Sequence, residues 1–366
     1  MTRLRLTLFM SRRMSLARWD GAGMLDRELA LYRRLAARGI EVGLLSWGGR
    51  EEQDFPVDGI RVLNDRWGLR PGIYERAFPI LHAGWLARRG IYKTNQVDIG
   101  RQALAAARLW RKPLVARCGY LWSDFRARAE GPHSPGAAAA RDLEAALFAH
   151  ADRVVVTTDE MAASVAARVP AAPAARVVPN YVDTSRFRPD PARPKDRDVL
   201  FVGRLAEQKN LPALLRAVDA CGASLVVVGD GPEAGLLDGR PGIEWHRRVP
   251  HEQLPALMHR CRTFMMPSRY EGHPKALIEA MACGMAVIAT DAPGISGVVR
   301  DGVDGRLVAE GDLAAVLAGL LADPSQAGRL GQAARDAAVA RFSLDAVVEQ
   351  EMDIYRELAE ERRWRG

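Results

Sequence analysis

Short apolar runs alternate with amphipathic stretches along nearly the whole chain. In the first half, the runs Leu4–Met10, Glu41–Ser46, Ile60–Leu63, Ile91–Thr94, Pro113–Arg117, Arg153–Thr157 and Val177–Val178 read as strands. Between the first two, Leu25, Leu29, Tyr32 and Ala36 fall on one face at helical spacing, which predicts a helix from Gly23 to Ala37 closed by Gly39. Strand–helix–strand repetition of this kind implies parallel sheets covered by helices. The alternation breaks at 187–197, FRPDPARPKDR, where three prolines and several charges stand without periodicity. That stretch reads as an interdomain linker.

Beyond it the pattern restarts. Asp198–Val202, SLVVV before Gly229, Gly242–Trp245, Thr263–Pro267 and the runs ending at Thr290 and Val308 read as strands. Leu211, Leu214, Leu215 and Val218 make one face of a helix, and Leu254–Arg260 is another. The chain therefore divides into a Rossmann-like domain over 1–187, a linker over 188–197, a second such domain over 198–343, and a tail over 344–366. In the tail, Leu344, Val347, Val348, Met352, Tyr355 and Leu358 form an apolar stripe that something must cover, the first domain being one option. Two domains suit a length of 366 residues. Ligands in doubly wound sheets bind beyond the carboxyl ends of the strands, and a cleft between two such domains is the default site.

Composition narrows the class. Hydrophobic residues at 48% and charged residues at 27% are ordinary for a soluble globular protein. The four cysteines are scattered, with no CxxC pair and no zinc spacing, which points to a reduced, cytoplasmic setting. No apolar run reaches the roughly 18 residues of a membrane span. The apolar core LTLFM at the N-terminus is too short for a signal peptide. Residues 1–190 hold 30 Lys and Arg against 20 Asp and Glu, whereas the remainder holds 22 against 25. A basic first half suits an anionic partner such as a membrane surface, although arginines on a solvated face give the same count. The closing ERRWRG, with Trp364, suits a membrane contact or a frayed end.

Three strand-end loops carry chemistry. In VGRLAEQKN, Gly203 lets backbone approach a ligand, the next helix points its N-terminus there, and Arg204 and Lys209 offer positive charge to a phosphate. In VVVGDGPE, Gly229 and Gly231 make a tight turn, but the third glycine of a dinucleotide fingerprint is missing at the required spacing. It reads as a turn near a base or phosphate. The third loop opens YEGHPKALIEAMACGMAVIAT. Pro274 suits a first helical turn. Gly272 and the amides around His273 and Lys275 then point out of the helix end, ready for a diphosphate. Glu271 precedes that end, and Glu279 lies more than a turn further on among Ala276, Leu277, Ala280 and Met281. A carboxylate in such company must be paired, hydrogen-bonded or facing a cleft, because leaving it bare costs several kcal/mol, roughly. A ribose diol would satisfy it.

The two glutamates with seven residues between them resemble the hallmark of the family 4 retaining glycosyltransferases of the GT-B fold. FVGRLAEQKN, VVVGDGP, VPNYVDTSRF, DGVDGRLV and ADRVVVTTDEM are similar to further segments of that family, so the likeness covers most of residues 150–360 and is looser before them. The resemblance implies two Rossmann-like domains facing across a cleft and a nucleotide-sugar donor, UDP- or GDP-linked, held by the second. It implies that Arg204 and Lys209 hold the diphosphate, Glu279 the ribose and Glu271 the donor sugar. Gly203, Gly229, Gly231, Gly272, His273, Pro274 and Lys275 form the donor cradle, and Gly21 and Gly23 of WDGAGM match the glycine loop of the first domain. No metal and no cofactor are expected, since the lone Asp-x-Asp, Asp196 and Asp198, sits at the linker.

Two positions depart from the family pattern. Where many members carry a histidine, this chain has VARCGYLWSDF, which leaves Arg117, Tyr120 and Asp124 as acceptor-side candidates. In PGISGVV, Gly297 stands where many members have glutamate. The implied activity is transfer of a hexosyl unit to a glycan or lipid-linked acceptor in cell-surface polysaccharide, lipopolysaccharide or glycolipid synthesis, by a cytoplasmic enzyme peripheral on the inner membrane face, with no nucleic-acid partner. A GT-B nucleotide-sugar epimerase and a non-catalytic nucleotide-sugar-binding homologue are the alternatives. The absence of a three-glycine fingerprint at the N-terminus argues against a dehydrogenase.

Overall fold

Thirteen strands, all paired in parallel, form two sheets in the computed structural model, which describes residues 4–363. The first sheet contains β1 (Arg5–Phe9), β2 (Glu41–Leu45), β3 (Ile60–Leu63), β4 (Ile91–Thr94), β5 (Leu114–Cys118), β6 (Arg153–Val156) and β7 (Arg176–Val177), in the order β3-β2-β1-β4-β5-β6-β7. The second contains β8 (Arg197–Val202), β9 (Leu225–Val228), β10 (Ile243–His246), β11 (Cys261–Met266), β12 (Ala286–Thr290) and β13 (Arg306–Val308), in the order β10-β9-β8-β11-β12-β13. Each order runs outward from the first strand and then reverses, as in a doubly wound sheet. The predicted strands therefore exist, with ends moved by a residue or two.

Side-chain size explains how the helices sit on the first sheet. Phe9 meets Phe78 edge to face at 5.8 Å and Tyr92 at 5.1 Å, so one face of the sheet is sealed by aromatic rings. On the same face, Trp85 donates its indole N–H to Thr7 Oγ1 at 2.9 Å. Its ring occupies the space above Gly43, where a Cβ would come within 2.8 Å of it. The second sheet buries Leu200, Phe264, Met266 and Val287 against Leu277, Met281 and Phe342 on one face. Phe201, Val227 and Ile288 pack against Leu214 and Leu317 on the other.

The chain forms two compact units, one running through Val178 and resuming at Val348, the other spanning Pro179–Val347. This division falls ahead of the proline-rich run. Residues 188–197 lie within the second unit, where Arg188 O accepts from His259 at 2.7 Å and Lys195 Nζ donates to Cys261 O at 2.7 Å. Phe187 is in the same unit's core.

The helix Leu344–Arg363 starts in the second unit, and from Val348 onward it belongs to the first. There Ile354, Tyr355 and Leu358 are buried, and so is Glu351, whose Oε1 lies 2.5 Å from Lys93 Nζ on β4. Met352, read as part of the apolar stripe, is only partly covered. Arg38 pairs with Glu349, Arg153 with Glu361 and Arg176 with Glu357 along the helix flanks. Trp364 lies outside the described residues.

Candidate active site

In the second unit the strand order reverses between β8 and β11, so the loops leaving these two strands are neighbours. Backbone and side-chain bonds stitch them together. Arg269 N–H donates to Gln208 O at 2.9 Å, and Gln208 Nε2 donates to Tyr270 O at 2.8 Å. This brings Lys209 and Glu271 into an ion pair of 2.5 Å, with side chains only 15% and 8% exposed. Such shielding from water makes the pair stronger and more selective in geometry than a surface contact. Arg204 is exposed in the same loop and makes no ion pair or hydrogen bond through its side chain among the described residues.

The glycines of the neighbouring turn brace this loop. A Cβ on Gly229 would come within 1.9 Å of Gly203 O, and one on Gly231 within 2.2 Å of Leu205 O. Gly203 N–H donates to Val228 O, and Leu205 N–H donates to Asp230 O, both at 3.0 Å. A side chain at either position would displace the backbone of the 203–205 loop. Gly294, at φ +78, plays the same part from the other side, because its Cβ would meet Glu271 O at 2.2 Å.

The helix that follows runs Lys275–Ala282. Pro274 is its N-cap and lies just outside the first turn in which the sequence put it. Gly272 is half-buried between Glu271 and this cap. Lys275 holds its ammonium 5.8 Å from the Tyr181 ring. His273 is buried, packs edge-on against Phe342 at 5.3 Å, and accepts through its carbonyl from Asn180 Nδ2 at 2.7 Å. Its ring is thus part of the wall beneath the helix end.

Glu279 is 1% exposed, and a protein side chain meets it: His251 Nε2 stands 2.8 Å from its Oε1. The His251 ring in turn lies on Phe187 at 5.0 Å. Sequence reading required a partner for this carboxylate but did not find His251, which sits far upstream in the loop VPHEQL. A histidine opening a short turn just before a helix was the only local signal.

In the first unit the reversal lies between β1 and β4. Arg117, on β5, donates from Nη1 to Asn95 O at 3.2 Å. Tyr120 stacks on Phe125 at 4.6 Å, and burial followed by the charge of Asp98 raises its phenol's pKa. Asp124 pairs with Arg168 at 2.7 Å. Gly21 ends the helix Leu16–Gly21, and Gly23, at φ 66, turns the chain into Leu25–Ala37. The residues directly beyond β1 and β4 are others: Asp98 accepts from Arg12 N–H at 2.8 Å, and Gln96 accepts from Gly119 N–H at 2.9 Å. Burial raises the Asp98 carboxyl above its usual range. Neither residue carried a sequence motif.

Asp196 and Asp198 stand at the amino end of β8, away from its carboxyl end. Asp196 accepts from Arg260 at 3.0 Å, and Asp198 accepts from Ser224 Oγ at 2.8 Å. Among the described residues, no group of three His, Cys, Asp or Glu side chains could hold a metal ion.

The glycosyl transferases group 1 model matches residues 183–337, and the glycosyltransferase family 4 model matches residues 29–186. The D-inositol 3-phosphate glycosyltransferase of Mycolicibacterium paratuberculosis is 30% identical over 382 residues, which is 92% of this chain and 86% of that protein. The chain belongs to the family 4 GT-B glycosyltransferases. The alpha-maltose-1-phosphate synthase of Mycobacterium tuberculosis is 32% identical over 221 residues, and the match spans 50% of this glycosyltransferase and only 56% of that protein. Two solved structures share the fold. Sucrose-phosphate synthase from Thermosynechococcus elongatus has a TM-score of 0.81 at 21% identity, covering 98% of this chain and 100% of that one. Anabaena HepE in complex with UDP-glucose has a TM-score of 0.72 at 18% identity, covering 97% and 100%.

Proposed function

We propose that this glycosyltransferase moves a hexosyl unit from a UDP- or GDP-sugar to a glycan or lipid-linked acceptor, with retention at the anomeric carbon. The pathway in this reading is synthesis of a cell-surface polysaccharide, lipopolysaccharide or glycolipid, at the cytoplasmic face of the membrane. The observation that carries it is the shielded Lys209–Glu271 pair at the strand reversal of the second unit, with the unengaged cation of Arg204 in the same loop. The UDP-glucose complex of Anabaena HepE supports a UDP-linked donor. Relatives that are transferases and synthases do not favour the epimerase alternative.

Cleavage of the anomeric bond leaves a nucleoside diphosphate whose oxygens gain charge. Arg204 and Lys209 stabilise that charge as it develops, aided by the backbone N–H groups of Gly272, His273 and Lys275. Glu271 keeps Lys209 in place before the donor arrives and orients the donor sugar afterwards. Glu279, steadied by His251, accepts hydrogen bonds from the ribose diol. Gly203, Gly229 and Gly231 keep the phosphate loop close to its neighbour. Arg117, Tyr120 and Asp124 are the acceptor-side candidates of the first unit, and Gly21 and Gly23 belong to its donor-side loop. The basic first half supports docking on anionic lipid.

A thermal-shift panel of nucleoside diphosphates and nucleotide sugars, with and without EDTA, tests the donor class. One base is expected to shift the melting selectively and without regard to EDTA. Lys209→Ala and Glu279→Ala are each expected to lower turnover at saturating donor by about 10²–10³-fold with the fold intact. Wild-type rates in both variants would remove these assignments.

A further inference from the structure

The helices Pro71–Leu81 and Gly100–Trp110 lie side by side in the first unit. Gln102 Nε2 donates to Glu75 Oε1 at one part of the seam, and Trp110 Nε1 donates to Pro79 O at 3.1 Å further along. Tyr74 and Phe78 of one helix, with Ala103, Leu104 and Ala107 of the other, join the core. The outer faces are exposed, and an open groove of about 1050 Å³ runs between them. Arg70, Arg76 and Arg101 are among its walls.

These outer faces combine two kinds of side chain. Ile73, Ile80 and Leu109 are 52%, 62% and 52% exposed. Ile73 and Ile80 are two helical turns apart and so share one face of their helix. Seven large apolar side chains are exposed among the described residues, and these two helices carry three of them. Arg70, Arg76, Arg101 and Arg108 are exposed beside them, and among the described residues none of the four is in an ion pair. Acids are missing from this surface. Glu75 is the one acid between Arg66 and Val97, and residues 99–123 hold none. Its carboxylate is already taken by Arg12 at 2.9 Å and by Gln102.

A helix face kept only for solubility intersperses both signs of charge and leaves few large aliphatics bare. This one does neither. Nucleic acid would take the cations but gains little from isoleucine and leucine, and no aromatic ring is exposed on these helices to stack on a base. A bilayer surface uses both. Aliphatic tips enter the boundary between headgroups and acyl chains, guanidinium groups bind lipid phosphates, and the arginine stems cover apolar surface. No helix among the described residues is long and apolar enough to cross a membrane, so contact through these helices is interfacial.

We propose that the outer faces of helices Pro71–Leu81 and Gly100–Trp110 dock together on an anionic phospholipid bilayer, with Ile73, Ile80 and Leu109 entering the interface and Arg70, Arg76, Arg101 and Arg108 on lipid phosphates. This docking deepens the reading above of a membrane-side acceptor, on which it rests. It narrows the contact from a whole basic half to seven side chains on two helices of the first unit.

The test is flotation of the intact chain, with neither donor nor acceptor, on vesicles of phosphatidylcholine alone or mixed with phosphatidylglycerol. The chain is expected to float with the mixed vesicles and not with phosphatidylcholine alone. Arg70→Gln/Arg76→Gln/Arg101→Gln/Arg108→Gln should lower the partition coefficient at least about 30-fold. Ile73→Gln/Ile80→Gln/Leu109→Gln should lower it at least about tenfold. Nucleotide thermal shifts should be unchanged in both variants. Wild-type flotation without any nucleotide shift would count against the donor assignment and still support the dock. No flotation, equal flotation on both vesicle types, or unchanged flotation of the arginine variant would overturn the dock and leave the donor assignment standing. Unchanged flotation of the aliphatic variant, with equally tight binding of dextran sulfate, would make this a plain polyanion surface and overturn the bilayer assignment.

Discussion

Replacing Glu351 with leucine would strip the partner from an ammonium that water does not reach. Lys93 and Glu351 are 0% and 1% exposed, and their charged atoms lie 2.5 Å apart. The Tyr355 hydroxyl donates to the second carboxylate oxygen. The rings of Tyr32 and Tyr355 stand 5.8 and 5.9 Å from the ammonium, at the outer limit of a cation–π contact, and offset only part of a lost counter-ion. Burial lowers the pKa of Lys93, Glu351 works against that shift, and Arg117 adds to it. Removing one partner of such a pair costs about 3–5 kcal/mol. In a unit of this size each kcal/mol moves the melting temperature by about 2–4 °C, so the first unit should melt roughly 6–20 °C lower. Lys93→Met/Glu351→Leu removes both charges and keeps the volume. Its main cost is the stranded Tyr355 hydroxyl, about 1–3 kcal/mol. Scanning calorimetry gives the melting temperature, and amide exchange of residues 91–94 reports the opening of the first unit. A Glu351→Leu cost below about 1 kcal/mol, or a double variant as unstable as the two single losses added, would refute the reasoning.

Two further predictions concern histidines. His251→Phe keeps the stack on Phe187 but removes the hydrogen bond to Glu279, so affinity for the nucleoside diphosphate should fall about tenfold, or 1.4 kcal/mol; equal Kd values by calorimetry would deny His251 a positioning role. His82 titrates at about 4 in the folded chain against 6.5 unfolded. Between those values the unfolded chain takes up a proton that the folded one does not, so stability is full above pH 6.5 and is lost as pH falls towards 4. The total is at most about 3 kcal/mol, less for partial exposure. His82→Gln should flatten the dependence of the urea midpoint on pH across that window, and an unaltered slope would count against burial as its cause.

Both sheets were legible in the sequence because their strands are short apolar runs bounded by glycine, proline and charge. The loop 203–210 and the helix end at 271–275 were legible because glycines, a proline and cations fall at fixed offsets from strand ends. The pairing of Lys209 with Glu271 was not, since it depends on β8 and β11 being neighbours, which only the strand order decides. The same holds for His251 and Glu279, which come from separate turns. The unit boundary was misplaced because prolines mark irregular backbone, and here that backbone is pinned to the second unit by Arg188 and Lys195. Glu351 escaped notice because a carboxylate on an apolar stripe looks like an error in the pattern until Lys93 is seen opposite it.

The return of residues 348–363 to the first unit sets an order of events on the ribosome. Domains generally fold as they emerge, the N-terminal one first. Here the seven-stranded sheet emerges without one of its walls. The groove that receives Ile354, Tyr355 and Leu358 stays open, and the Lys93 ammonium stays hydrated, until the whole second unit has been translated. Completion of the first unit therefore follows synthesis of the second. A nascent chain released early, after Val347, would carry a finished second unit and an unfinished first, and its open groove would be the mark by which chaperones and proteases tell it from a chain that includes residues 348–363.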